Sequence, residues 1–374
     1  MRGLIAASAL VLFWWPAFAD ISGETIANYN KAVTEAASAE DIAEAAAALA
    51  GEAIASPEDD MSGLLAFEAA WTLCQIGQCD RGYEAAKFSA AQELKSPDAY
   101  PSAETRLVLE RFISWKQEDS KTTREGLTAA LSTLTEGDVS MVSLAAHQAN
   151  YLHLTQRQEW NGAAQAAGAA ALHMAPIKDE IFQEYALAEL TRITSQFQSD
   201  KDIDTYGDIL DLEEELFQRI RSEAEATPER KNETLSKIWH QTSAWEGAIV
   251  SFFNSTGEES STKRIFADRP RKERVVIPNP DYCEGRIVKP PQLTFPEEAL
   301  RQGIIGSLII GFTIDHGKPK DVEVLAAVPQ GVFEKEAIRA MKKVRWEPKE
   351  GIDTSKCSMV QENYVYPLRF LIDN

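Results

Sequence analysis

The chain has 374 residues, 58 Asp and Glu against 38 Lys and Arg, and a formal net charge of -20. That length can hold two domains, each burying its own apolar core without metals or many disulfides. The charge is uneven: residues 1–262 carry 42 acidic and 19 basic side chains, and residues 263–374 carry 16 and 19. An acidic front repels phosphates and gains nothing from counterion release, so nucleic-acid binding is excluded for it.

The chain opens with one Arg, an apolar run from Leu4 to Trp15, and Ala17-Phe18-Ala19 ahead of Asp20. This is the pattern of a secretory signal peptide, residues 1–19, cleaved before Asp20. Read as an uncleaved anchor, the run is shorter than the roughly 20 apolar residues that span a bilayer. No Cys follows the cleavage point to take a lipid. The expected location is the periplasm, with membrane association at most peripheral or through the N-terminal segment.

From residue 20 to 253 the sequence is rich in Ala, Glu, Leu and Gln, with little strand-like alternation. It predicts an α-helical domain of helical hairpins joined at breaks such as residues 55–60, 77–82, 135–138 and 174–179. Ser102 is the expected N-cap of the helix that begins "AETRLVLERF". Ala164, Gly168, Ala171 and the closing Pro176 resemble the second helix of a tetratricopeptide repeat, so the architecture is TPR-like. Small residues at those positions also serve plain helix packing.

Export favours pairing of the four cysteines, for which three connectivities exist. Cys74 and Cys79 flank a short turn, leaving Cys283 to join Cys357 as the second structural disulfide. A thiolate metal site is disfavoured because there is no C-x-x-C and no histidine at ligand spacing. No cofactor fingerprint and no catalytic motif occurs, so neither a cofactor nor an enzyme is expected. The carboxylate-rich stretch "DIDTYGDILDLEEE" lacks the order of calcium ligands, and Ile209, Leu212, Leu216 and Ile220 pass through it at helical spacing. It reads as a solvated helix face. His147, His153, His173 and His240 lie in helical segments without nearby Cys and read as packing or surface residues.

Residues 254–285 are polar, charged and Pro-containing, and predict a linker; the basic cluster from Arg269 to Arg274 reads as part of a solvated spacer. Beyond it the pattern changes to period two. In "SLIIGFTID", Leu308, Ile310, Phe312 and Ile314 share one buried face, and Ser307, Gly311, Thr313 and Asp315 sit mainly on the other. Gly317 supplies the turn, and "KDVEVLAAV" returns as a second strand. Phe333, Ala337, Met341 and Val344 follow at helical spacing, with Trp346 just past the helix. The last segment alternates again through Tyr364, Tyr366, Leu368 and Phe370. Pro367 inside it cannot donate a ladder hydrogen bond, which puts this strand at an edge or a bulge.

Phe295-Pro296, Ala299, Gly303, Gly306, Gly317, Pro329, Gly331, Ala337, Ala340, "RWEP", Pro367 and Phe370, in this order, resemble the C-terminal domain of the TonB family. The resemblance covers residues 286–374. It implies a small α+β domain, an antiparallel sheet packed with helices, whose edge accepts a segment of an outer-membrane receptor as an added strand. The expected fold is thus multidomain: an all-α TPR-like front and a TonB C-terminal-like tail. The residues placed at the partner-binding strand are Tyr364, Val365, Tyr366, Leu368, Arg369 and Phe370. Most of the aromatic and aliphatic ones double as a core face, so Val365, Arg369 and backbone groups are the expected specificity contacts. The function so implied is protein–protein interaction with an envelope or outer-membrane protein, such as a TonB-dependent receptor. The alternative is an energy transducer for outer-membrane transport that keeps its N-terminal anchor. Against that alternative, acidic helices stand where family transducers have a Pro-rich spacer.

Overall fold

The computed structural model describes residues 21–35, 37–93, 101–226, 232–269 and 281–371. The expected signal peptide and most of the basic cluster at 269–274 lie outside them. The chain forms two compact units: residues 1–157 with 166–178, and residues 158–165 with 179–374.

In the first unit, α1 (Gly23–Thr34), α2 (Ala39–Ala55), α3 (Ser62–Gln75), α4 (Cys79–Ala91), α5 (Ala103–Gln117), α6 (Lys121–Leu131) and α7 (Met141–Gln156) follow one another along the chain. α8 (Trp160–Met174) starts in the residues of the second unit and ends in those of the first. Serine caps start the helices. Ser38, Ser102, Ser120 and Ser140 each accept a hydrogen bond from the backbone N–H three residues on, satisfying a donor that the first turn leaves open. The core is built from Leu49, Leu65, Phe67, Leu73, Leu109, Ile113 and Leu127 with many alanines, so the helices pack closely. A disulfide joins Cys74 to Cys79 across the α3–α4 turn. Helix pairs begin at residues 23, 62, 103 and 141, which places them 39, 41 and 38 residues apart. Those intervals exceed the 34 residues of a tetratricopeptide repeat. The front is a run of helical hairpins at longer intervals.

The second unit contains α9 (Phe182–Asp200), α10 (Asp204–Ala226), α11 (Glu233–Ser255) and α12 (Glu259–Ala267). Phe197, Ile209, Leu216, Leu235, Ile249 and Phe253 form the core of these helices. α12 falls in the stretch read as linker. Its inward side chains are Thr262, whose hydroxyl donates to Asn254 Oδ1 at 2.8 Å, and the partly buried Ile265, too few to read as an apolar stripe. Nor does the division into units fall at residue 254: α9–α12 belong with the sheet.

That sheet has the order β3–β2–β5, all antiparallel, with β2 (Gly306–Asp315) central between β3 (Lys318–Val328) and β5 (Val360–Phe370). β1 (Gly285–Lys289) and β4 (Arg345–Pro348) make a separate antiparallel pair. The helix, α14 (Glu334–Met341), stops short of Val344, and "RWEP" beyond it is strand, with Trp346 paired to Ile287. A short α13 (Glu297–Gln302) precedes β2. Gly317 makes the β2–β3 turn at φ 80°, left-handed backbone that glycine adopts without strain. Leu308, Ile310, Phe312, Ile314, Leu368 and Phe370 cover one face of the sheet, against Phe333, Ala337 and Met341. A second disulfide, Cys283–Cys357, borders this core.

The opposite face is buried too. α11 lies on it, with Ala244 and Ala248 packed against Ile309, Ala326 and Val328. Gly247 is the point of closest approach. A Cβ there would fall 2.7 Å from Ser307 Cβ and overlap Ser307 Oγ. In an unencumbered helix, Gly→Ala gains about 0.5–1 kcal/mol. Here, Gly247→Ala is expected to destabilise the unit by about 1–3 kcal/mol, because overpacking outweighs propensity. Hydrogen exchange of the β2 amides checks this, and Ser307→Gly in the same chain is expected to recover most of the loss. Stabilisation by Gly247→Ala alone would show that α11 does not rest on the sheet.

Candidate docking edge

β5 is outermost, and among the described residues no strand pairs with its second edge. Asn363, at φ 57°, falls where the register with β2 shifts, between the pairs Phe312–Tyr364 and Ile314–Gln361. Tyr282 Oη accepts from the Glu362 N–H at 3.2 Å, so the chain itself uses the edge as far as this irregularity. From Tyr364 to Phe370 the strand is straight in register and open on one side. Pro367 sits in the middle of that run and is exposed, in keeping with an edge position that tolerates a missing donor.

The side chains of the open run are held from both faces. Leu368 and Phe370 are 3% and 1% exposed, inside the core. Phe370 stacks on Phe333 with ring centroids 4.4 Å apart, and Phe295 packs edge-on against both. Their buried side chains leave no surface for a partner, which removes Leu368 and Phe370 as side-chain contacts. Tyr364 and Tyr366 are half-buried against the same core. Burial, and then the neighbouring Tyr366, hold the Tyr364 hydroxyl above its ordinary value, so it stays neutral.

On the other face, Val365 packs beside Ala244 and Ala248. Arg369 Nη2 lies 3.1 Å from Glu246 Oε2 of α11, and Glu246 is only 6% exposed. The Glu246 charge is compensated by a guanidinium that reaches in from β5. Val365 and Arg369, expected to meet a partner, are thus engaged by the chain's own helix. Their alternation could not show this, because a strand pattern reports which side a residue takes and not what covers that side. What β5 offers outward is backbone N–H and C=O, on a strand pinned by its side chains.

Asp208 and Asp211 of the carboxylate stretch pair with Arg192 and Arg269, at 3.0 and 2.8 Å, while Ile209, Leu212 and Leu216 are core. His147 and His173 are buried neighbours in the first unit, ring centroids 5.2 Å apart. His173 Nε2 is 3.1 Å from Ser143 Oγ, and burial with the nearby His173 pushes His147 down to about 3. His153 meets Trp115 edge-on and His240 leans on Trp239. Among the described residues no three His, Cys, Asp or Glu are grouped to hold a metal ion, and no helix is long and apolar enough to cross a membrane.

No curated protein matches this chain. Residues 291–366 match the family model described as the Gram-negative bacterial TonB protein C-terminal, a periplasmic interaction domain in a family whose proteins contact outer-membrane receptors. The match runs from the approach to α13 through β2, β3, α14 and β4 to the open part of β5. The stretch that carries α13, β2, β3, α14, β4 and the first part of β5 is thus similar to a TonB C-terminal domain.

Proposed function

We propose that this is a non-enzymatic, periplasmic interaction protein that docks an envelope or outer-membrane protein by adding one of its strands to the free edge of β5. The observation that carries the reading is the run from Tyr364 to Phe370, outermost in the sheet and unpaired on one side. An exposed edge offers a row of main-chain donors and acceptors that an extended peptide completes. Such edges are liabilities in free proteins, and here the exposed Pro367 and the charged Arg369 blunt the run. Because side chains on both faces fix β5, little strand entropy remains to be lost on docking.

α11 binds the back of the sheet, so the helices of the second unit are structural parts of the docking domain and not a spacer that swings it. The export signal and the two disulfides support residence in an oxidising compartment. Photo-crosslinking tests the reading in cells making the full chain. A benzophenone amino acid in place of exposed Pro367 is expected to trap an outer-membrane protein, and the same group in place of exposed Lys335 on α14 is not. Equal trapping from both positions, or none from Pro367, refutes edge docking.

A further inference from the structure

We propose that a cavity beside Arg369 is an anchor pocket for one large, uncharged apolar side chain of the strand that β5 receives; this rests on the strand-addition reading above. The cavity is about 370 Å³ and is walled by Tyr206 of α10, Glu246 of α11, Thr262, Lys263 and Phe266 of α12, and Arg369 of β5. That is at the lower end of small-molecule pockets, roughly 300–1,000 Å³, and gives room for one side chain.

Its position follows from the sheet. Cross-strand neighbours place their side chains on the same face. Arg369 turns to the α11 face, where it meets Glu246, so the residue of an added strand opposite Arg369 turns to that face as well. Among the described residues Arg369 is the sheet residue in the cavity wall, which sets the cavity against β5 on its α11 face. α12 forms the far wall.

Its chemistry follows from the charges. Arg369 and Glu246 neutralise each other, Tyr206 Oη donates to Glu246 Oε1 at 3.5 Å, and Lys263 Nζ lies 2.5 Å from Glu259 Oε1. A charged newcomer would have to break one of these pairs or remain uncompensated. An apolar one covers Phe266, a large side chain left 42% exposed on the wall. Three of the four structural elements that build the pocket lie outside residues 291–366, so selectivity here is supplied by the helices and not by the TonB C-terminal domain alone.

The test uses the full chain and ten-residue peptides of alternating Thr and Val, identical except for one central Phe, Leu, Ala, Asp or Lys. Affinity is read by fluorescence anisotropy, and the site by hydrogen exchange of residues 364–370. The Phe and Leu peptides are expected to bind about tenfold or more tighter than the Ala peptide, with Asp and Lys no better than Ala. Phe266→Ala is expected to remove most of that preference while edge protection persists, and Phe266→Leu to keep it. Phe266 is exposed enough that neither change should unfold α12, which its own amide protection verifies. Equal affinities with the edge protected overturn the pocket and leave strand addition standing. No protection by any peptide overturns both. Protection of residues 364–370 in the protein alone, rising with its concentration, assigns the edge to a second copy and overturns the proposal.

Discussion

Phe370→Ala is expected to cost about 3–5 kcal/mol of stability, enough to open the sheet instead of merely weakening partner binding. The residue is 1% exposed, stacks on Phe333, and sits opposite Gly306 at the end of the β2–β5 ladder. Truncation leaves a cavity bounded by Phe295 and Phe333, and their rings lose contacts on one side. Two readouts separate the roles. Amide protection in β2 reports the core, and crosslinking from residue 367 reports docking. Both should fall together in Phe370→Ala. Leu371→Ala, at a neighbouring position exposed to solvent, should stay within about 0.5 kcal/mol of the parent. Lost crosslinking with β2 protection unchanged would show that Phe370 acts at the surface and that its place in the core is wrong.

That contrast shows where sequence reasoning reached and where it stopped. Alternation identified Leu308, Ile310, Phe312 and Ile314 as one face, and helical spacing brought Phe333, Ala337 and Met341 onto it, because periodicity reports burial on a single side directly. Pro367 marked the edge through a missing donor. The second face stayed hidden for a physical reason. The residues of α11 nearest to it include Ala244, Gly247 and Ala248, and small residues at that spacing look the same whether they approach another helix or a sheet. The pairing of β1 with β4 was equally invisible, since four or five residues carry too little alternation to separate strand from helix end. α12 escaped because only Thr262 and Ile265 turn inward, and its part in the cavity is visible only beside Arg369. The pocket therefore combines residues far apart in sequence, and no local motif could announce it.

Loss of the Cys283–Cys357 disulfide is expected to destabilise the second unit by about 2–4 kcal/mol, well beyond loss of Cys74–Cys79 in the first. The two bonds close very different loops, with sequence separations of 74 and 5. A chain-entropy argument assigns about 4–5 kcal/mol to a loop of the longer size and about 2 to one of the shorter, and residual order in the unfolded chain lowers both figures. The longer bond also sits where local order matters for docking. Cys283 is buried, its N–H donates to Ser358 O at 3.0 Å, and its carbonyl accepts from Gln361 Nε2 at 2.7 Å. It thereby ties the approach to β1 to the entry of β5, a few residues before the open run begins. Cys283→Ala with Cys357→Ala, or reduction of the native protein, should raise hydrogen exchange along residues 360–370 and weaken edge crosslinking. Cys74→Ala with Cys79→Ala should leave both unchanged. Urea unfolding of each unit, followed through its own amides, compares the two losses on one scale. Equal losses from the two pairs, or an edge indifferent to reduction, would show that β5 is held in place by its packing on Phe333 and α11 alone.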